Sequence, residues 1–66
     1  MIKTGSEKSG KVEYSKNGRA HYSIQFEQDR QIYSRWVIRQ HEPELVEMAS
    51  FPSLESAELW LEPKIG

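Results

Sequence analysis

"RQIYSRWVIRQH", residues 30–41, is the stretch on which the fold turns. Successive side chains of a β-strand point to opposite faces of a sheet, so apolar residues at every second position mark a strand. Ile32, Trp36 and Ile38 fall on one parity, and Tyr33, Arg35, Val37 and Arg39 on the other. A strand over residues 32–40 follows. A half-buried strand normally gives its outer face to plain polar residues. Here both parities carry large side chains. The loop "QDRQ", residues 28–31, decides which parity turns inward, because a one-residue slip moves every side chain to the other face. An odd-length loop puts Ile32, Trp36 and Ile38 inward with Tyr22, Ile24 and Phe26 and leaves Tyr33, Arg35, Val37 and Arg39 outside. An even-length loop exposes Trp36. The first register is preferred, since it joins Trp36 and Ile38 to the apolar parity of the preceding strand.

That preceding strand is "RAHYSIQFE", residues 19–27, with Ala20, Tyr22, Ile24 and Phe26 inward. Before it, "KVEYSK" carries Val12 and Tyr14 on one parity, and "KNGR" between the two is a hairpin signal. A two-residue Asn17-Gly18 loop would set Tyr14 against His21. A three-residue loop of Lys16, Asn17 and Gly18 sets Tyr14 against Ala20 and Val12 against Tyr22. Residues directly opposite share a face, so the three-residue loop is expected. Residues 1–10 are rich in Gly, Ser, Lys and Glu and read as a flexible arm.

Downstream, "HEPE" breaks the chain at Pro43. "LVEMASF", residues 45–51, has helix-forming composition but weak alternation. It is assigned a fourth strand because a hairpin return is the shortest connection. "SLESAELWLEP", residues 53–63, is the clearest helix. Ser53 suits the N-cap, Glu55 suits the first turn, and Leu54, Ala57, Trp60 and Leu61 form an apolar stripe ended by Pro63. The expected fold is α+β: a small antiparallel β-meander of three to four strands with one short C-terminal helix packed on one face. Residues 11–66 make the single domain. Its core is Val12, Tyr22, Ile24, Phe26, Trp36, Ile38, Leu54, Ala57 and Leu61.

Composition narrows the chemistry. Sixty-six residues hold one domain without room for a deep pocket. Cysteine is absent, which removes disulfides, thiolate nucleophiles and cysteine-rich zinc sites. A secreted chain of this size normally carries disulfides, "MIKTGSEKSG" has no signal-peptide core, and no apolar run approaches the roughly 18 residues of a span. A cytoplasmic protein without membrane contact is therefore expected. Charge is uneven. Residues 1–41 hold eight basic and four acidic residues, and residues 42–66 one basic and six acidic.

No catalytic constellation is expected. His21 and His41, with Ser23 or Ser34, lack an elbow glycine and a third member. His41 and Glu44 of "HEPE" are two loop groups and make no metal site. "GSEKSG" lacks the strand and helix of a phosphate loop, so no cofactor is expected. The candidate site is the outward sheet face: Lys11, Arg19, His21, Tyr33, Arg35 and Arg39, where Arg and Tyr offer area and directed hydrogen bonds. Two partner classes stay open. A near-neutral chain without catalytic groups is of a kind with small inhibitors and adaptors, including those carried by phages and mobile elements, which act by covering a protein surface. Glu55, Glu58 and Glu62, with Glu47, form a second candidate, an acidic surface imitating nucleic-acid charge. The other class is nucleic acid, met by a basic and aromatic sheet face. "FPSLESAELWL", residues 51–61, resembles the helix entry of the arm-type or AP2-like DNA-binding domains of integrases, which are three-stranded sheets followed by a helix with Ala and Trp at similar places. The resemblance covers about eleven residues. It implies Tyr33, Arg35 and Arg39 as groove contacts. Those domains are strongly basic, this chain is slightly acidic, and its run at 45–51 is extra. A protein partner is preferred.

Overall fold

The computed structural model describes residues 1–66. Five strands, β1 (Ile2–Ser6), β2 (Lys11–Lys16), β3 (Arg19–Phe26), β4 (Trp36–Gln40) and β5 (Val46–Phe51), precede one helix, α1 (Leu54–Ile65). The strands form one antiparallel meander in chain order. The class is the α+β fold expected, with five strands in place of three to four.

The fifth strand comes from the segment expected as a flexible arm. β1 pairs with β2 from Ile2 opposite Ser15 to Ser6 opposite Lys11. All five of its residues are exposed, so it needs no apolar alternation and leaves none in the sequence. Its backbone ladder holds it. So do Ser9, whose hydroxyl accepts from the Ser6 amide at 3.1 Å, and Lys3, which reaches the helix. Gly5 has φ +97°, and a Cβ there would lie 2.1 Å from the Lys11 carbonyl oxygen, so only glycine fits.

The β2–β3 hairpin corrects the expected loop. Lys16 pairs with Arg19, and Asn17 (φ 55°) and Gly18 (φ 77°) make a two-residue turn with both central residues left-handed. The register then shifts: Ser15 faces Ala20, but Tyr14 faces Tyr22 and Val12 faces Ile24. His21 is the extra residue of a β-bulge. The bulge delivers the apolar pairing that a longer loop was expected to supply.

The expected strand over 32–40 is shorter. Residues 32–34 form a single 3₁₀ turn, and β4 begins at Trp36. The Glu27 amide donates to the Arg35 carbonyl at 2.7 Å, which closes residues 27–35 into a loop before pairing resumes. Ile32 is therefore 72% exposed and not a core residue. The preferred parity holds: Trp36 faces Phe26, Ile38 faces Ile24, and both Trp36 and Ile38 are buried. Residues 46–51 form the strand assigned to them, with a bulge at Met48 between Ile38–Ala49 and Arg39–Glu47.

Helix α1 starts at Ser53, whose hydroxyl accepts from the Ser56 amide. It runs through Pro63 to Ile65. Pro63 has no amide to donate to the carbonyl of Leu59, one turn back, a residue on the water side. Leu54, Ala57 and Leu61 close over Val12, Tyr14, Ile24, Trp36 and Ile38 to make the core, with Tyr22 and Phe26 half-buried at its margin. No helix is long and apolar enough to cross a membrane.

Candidate functional site

The sheet face opposite the helix carries Lys11, Glu13, Ser23, Gln25, Val37, Arg39, Glu47 and Ser50, as the register dictates. It is not an open platform. Ser23 and Val37 at its centre are fully buried although no helix lies on that side. Ser23 shares a 2.8 Å hydrogen bond with His41 Nε2. Beside Val37, Arg39 pairs with Glu27 at 2.7 Å, and Arg30 reaches both Glu27 at 3.8 Å and Glu47 at 3.1 Å. Arg30 lays two nitrogens on the two oxygens of Glu47, a bidentate geometry that holds its proton even more firmly than an ordinary guanidinium does. Four side chains of alternating charge thus form a ring on this face, closed by Arg39 and Glu47 at 3.9 Å.

That ring changes the standing of the predicted residues. Arg39 lies on the expected face but is engaged by Glu27. Lys11 pairs with Glu13 at 3.4 Å, and Arg19 with Glu42 at 3.6 Å at the far end of the sheet. His21 sits at the bulge, half-buried, with its carbonyl accepting from the His41 amide. Arg35 stands at the end of the 3₁₀ turn, and its Nε donates to the Arg30 carbonyl. Tyr33 is on that turn, not on the sheet, and is 66% exposed. The six residues are not gathered on one free surface.

The acidic candidates separate as well. Glu58 and Glu62 turn toward the sheet, where Lys3 bridges them at 2.6 and 2.8 Å. Glu62 also accepts from the Tyr14 hydroxyl at 2.7 Å. Hydrogen bonds from Lys3 and Tyr14 lower the Glu62 carboxyl below the usual carboxylate range. The Lys3 ammonium is raised by its bond to Glu58 and then by Glu62. Burial, with the Glu62 bond next, pushes the Tyr14 phenol up. Lys3, Tyr14 and Glu62, with Met1, Ile65 and Gly66, line an open cleft of about 300 Å³. Glu47 belongs to the ring and Glu55 alone stays unpaired, so these four acids form no continuous row. Among catalytic candidates, Ser23 and His41 do meet, but Ser23 is 1% exposed and unreachable by a substrate.

Ile32 and Tyr33, which period-two reasoning placed on a strand, are among the large side chains most open to water, as are Leu59, Ile2 and Leu45. Loop 27–35 is tied at many points. The Arg30 amide donates to the Glu27 carbonyl, and the Ser34 amide and hydroxyl both donate to the Gln31 carbonyl. Arg35 and the Arg30–Glu47 pair add further anchors. From this pinned loop Ile32 and Tyr33 project into water. In the sequence residues 28–31 already read as a loop, and Ser34, a residue that suits turns, is the signal for extending it toward Arg35. Compared with family models, with curated proteins and with solved structures, the chain finds no match.

Proposed function

We propose that this chain is a small non-catalytic protein-binding module, an inhibitor or adaptor, whose anchor is Ile32 and Tyr33 on loop 27–35. One observation carries the reading: two adjacent large side chains are 72% and 66% exposed on a loop held by main-chain and side-chain hydrogen bonds. A floppy loop would lose entropy on docking, whereas a pinned one loses little, and aromatic side chains with Arg neighbours dominate interface energetics. Arg35 beside the turn supplies the directed contact. Nucleic acid is the weaker reading because five of the nine basic residues, Lys3, Lys11, Arg19, Arg30 and Arg39, face carboxylates and the chain is slightly acidic overall.

The test is affinity capture with the wild-type chain beside Ile32→Ser/Tyr33→Ala, a variant expected to melt at the same temperature. A partner retained by the first and lost by the second supports the reading. Equal retention by both sinks it. Gel-shift titration with random duplex and single-stranded DNA at low salt separates the classes. Binding at tens of micromolar or tighter, falling steeply with added salt, would favour nucleic acid instead.

A further inference from the structure

The meander leaves two strand edges, and they are built differently. Natural sheets protect their edges with charge, proline, glycine kinks and short length, because unpaired amides and carbonyls invite another strand. β1 is protected: Gly5 at φ +97° interrupts its extended backbone, and Ser9 occupies the Ser6 amide and carbonyl. β5 has no proline, glycine or lysine between Val46 and Phe51, and its one charge, Glu47, is held by Arg30. None of the backbone hydrogen bonds made outside the sheet ladders and the helix uses a β5 residue, so its outward edge is unpaired. The bulge at Met48 is its single guard. That bulge also brings Val46 onto the helix side of the sheet with Ala49 and Phe51, opposite Gln40, Ile38 and Trp36 respectively.

We propose that β5 pairs antiparallel with β5 of a second copy of this chain, about a two-fold axis at Ala49, to give a continuous ten-stranded sheet. With the bulged Met48 of each copy left out of the ladder, the strand is complementary to itself in this register. Val46, 43% exposed in one copy, meets Phe51 of the second copy on the helix side. Glu47 meets Ser50 of the second copy on the other side. Ala49, the smallest residue of the strand, meets itself at the axis. No carboxylate stands directly against a carboxylate, and each contact occurs twice, as a closed two-fold interface requires. Trp60, 5.9 Å from Phe51 ring to ring, extends the apolar strip on the helix side. Ile32 and Tyr33 lie on the 3₁₀ turn, which packs near β5 without adding a backbone hydrogen bond to its edge, so the edge pairing and the loop anchor are tested by separate variants.

Sedimentation equilibrium over a range reaching about 1 mM, the weak end of specific association, should show the mass doubling. Val46→Lys, at an exposed position, should weaken dimerisation at least about tenfold by placing a charge on the edge, with an unchanged circular dichroism spectrum at low concentration. The chain has no cysteine, so a single one reports the axis. Ala49→Cys should form disulfide-linked dimers under mild oxidation, since residues paired across an antiparallel ladder lie about 4.5–5.5 Å apart at Cα, within disulfide reach. Thr4→Cys, on β1, should form them far more slowly. A wild-type chain that stays monomeric throughout the range overturns the proposal. So does a dimer indifferent to Val46→Lys, or cross-linking at Thr4→Cys as fast as at Ala49→Cys.

Discussion

Ile24 and Val37 are both fully buried, one on each face of the sheet, and what covers them differs. Ile24 is closed over by the helix, among Leu54, Ala57, Leu61 and its register partners Val12 and Ile38. Val37 has Gln25 and Ser50 in register, and beside it Arg39 in the ring with Glu27, Arg30 and Glu47. It is no part of the main apolar cluster. One face is sealed by the hydrophobic effect, and the other by a folded-back loop and paired charges. The lesson is that a single short helix does not oblige the opposite face to be bare. Burial there is achieved with polar groups, at a smaller net stabilisation, since exposed ion pairs contribute little in water.

The comparison can be broken at several points. Ile24→Ala should cost about 2–5 kcal/mol in chemical denaturation, much of the stability of a domain this small. A loss below about 0.5 kcal/mol would remove Ile24 from the core. Val37→Ala should cost about 2 kcal/mol, two buried methyl groups' worth. If it equals the Ile24→Ala loss, the two faces are sealed equally well and the distinction fails.

Smaller effects sharpen the picture. Tyr14→Phe should cost about 1 kcal/mol, the net worth of its hydrogen bond to Glu62. The pH profile reads the same network. The folded state lowers the Glu62 carboxyl, so its stabilisation is present above the unfolded value of 4.5 and is lost as pH falls below it. Tyr14 and Lys3 are raised above 10.0 and 10.5, so their stabilisation is present below those values and is lost as pH rises past them. Thermal melts should therefore show a plateau from about pH 5 to 9 that falls on both sides. Tyr14→Phe should reduce the alkaline fall.

On the opposite face, Arg39→Met should cost about 1 kcal/mol or less, and the difference from wild type should shrink at 1 M salt. The smallest expected effect is that of Tyr33→Ala, within about 0.5 kcal/mol of wild type in stability. A larger loss would make Tyr33 structural and weaken its role as an anchor.

Local pattern alone determined much of this protein. The alternation of Val12 and Tyr14, then of Tyr22, Ile24 and Phe26, requires two strands with one buried face. Ser53 and the spacing of Leu54, Ala57 and Leu61 require a helix there. The choice of Trp36 over Arg35 for the interior follows from joining like faces. Tyr33 was legible as a candidate contact from its residue type, though not as part of a loop. What the sequence could not decide is everything held by partners distant along the chain. β1 is exposed along its whole length, so only its ladder with β2 makes it a strand. The hairpin satisfied its local turn chemistry at Asn17-Gly18 and its face matching separately, through a bulge at His21. Glu62 is engaged because Lys3 lies 59 residues from it in sequence and 2.8 Å from it in space, and Arg39 because Glu27 of the folded-back loop lies 2.7 Å away. Period and propensity are properties of neighbours. Whether a charge is free or spent is a property of what the fold brings beside it.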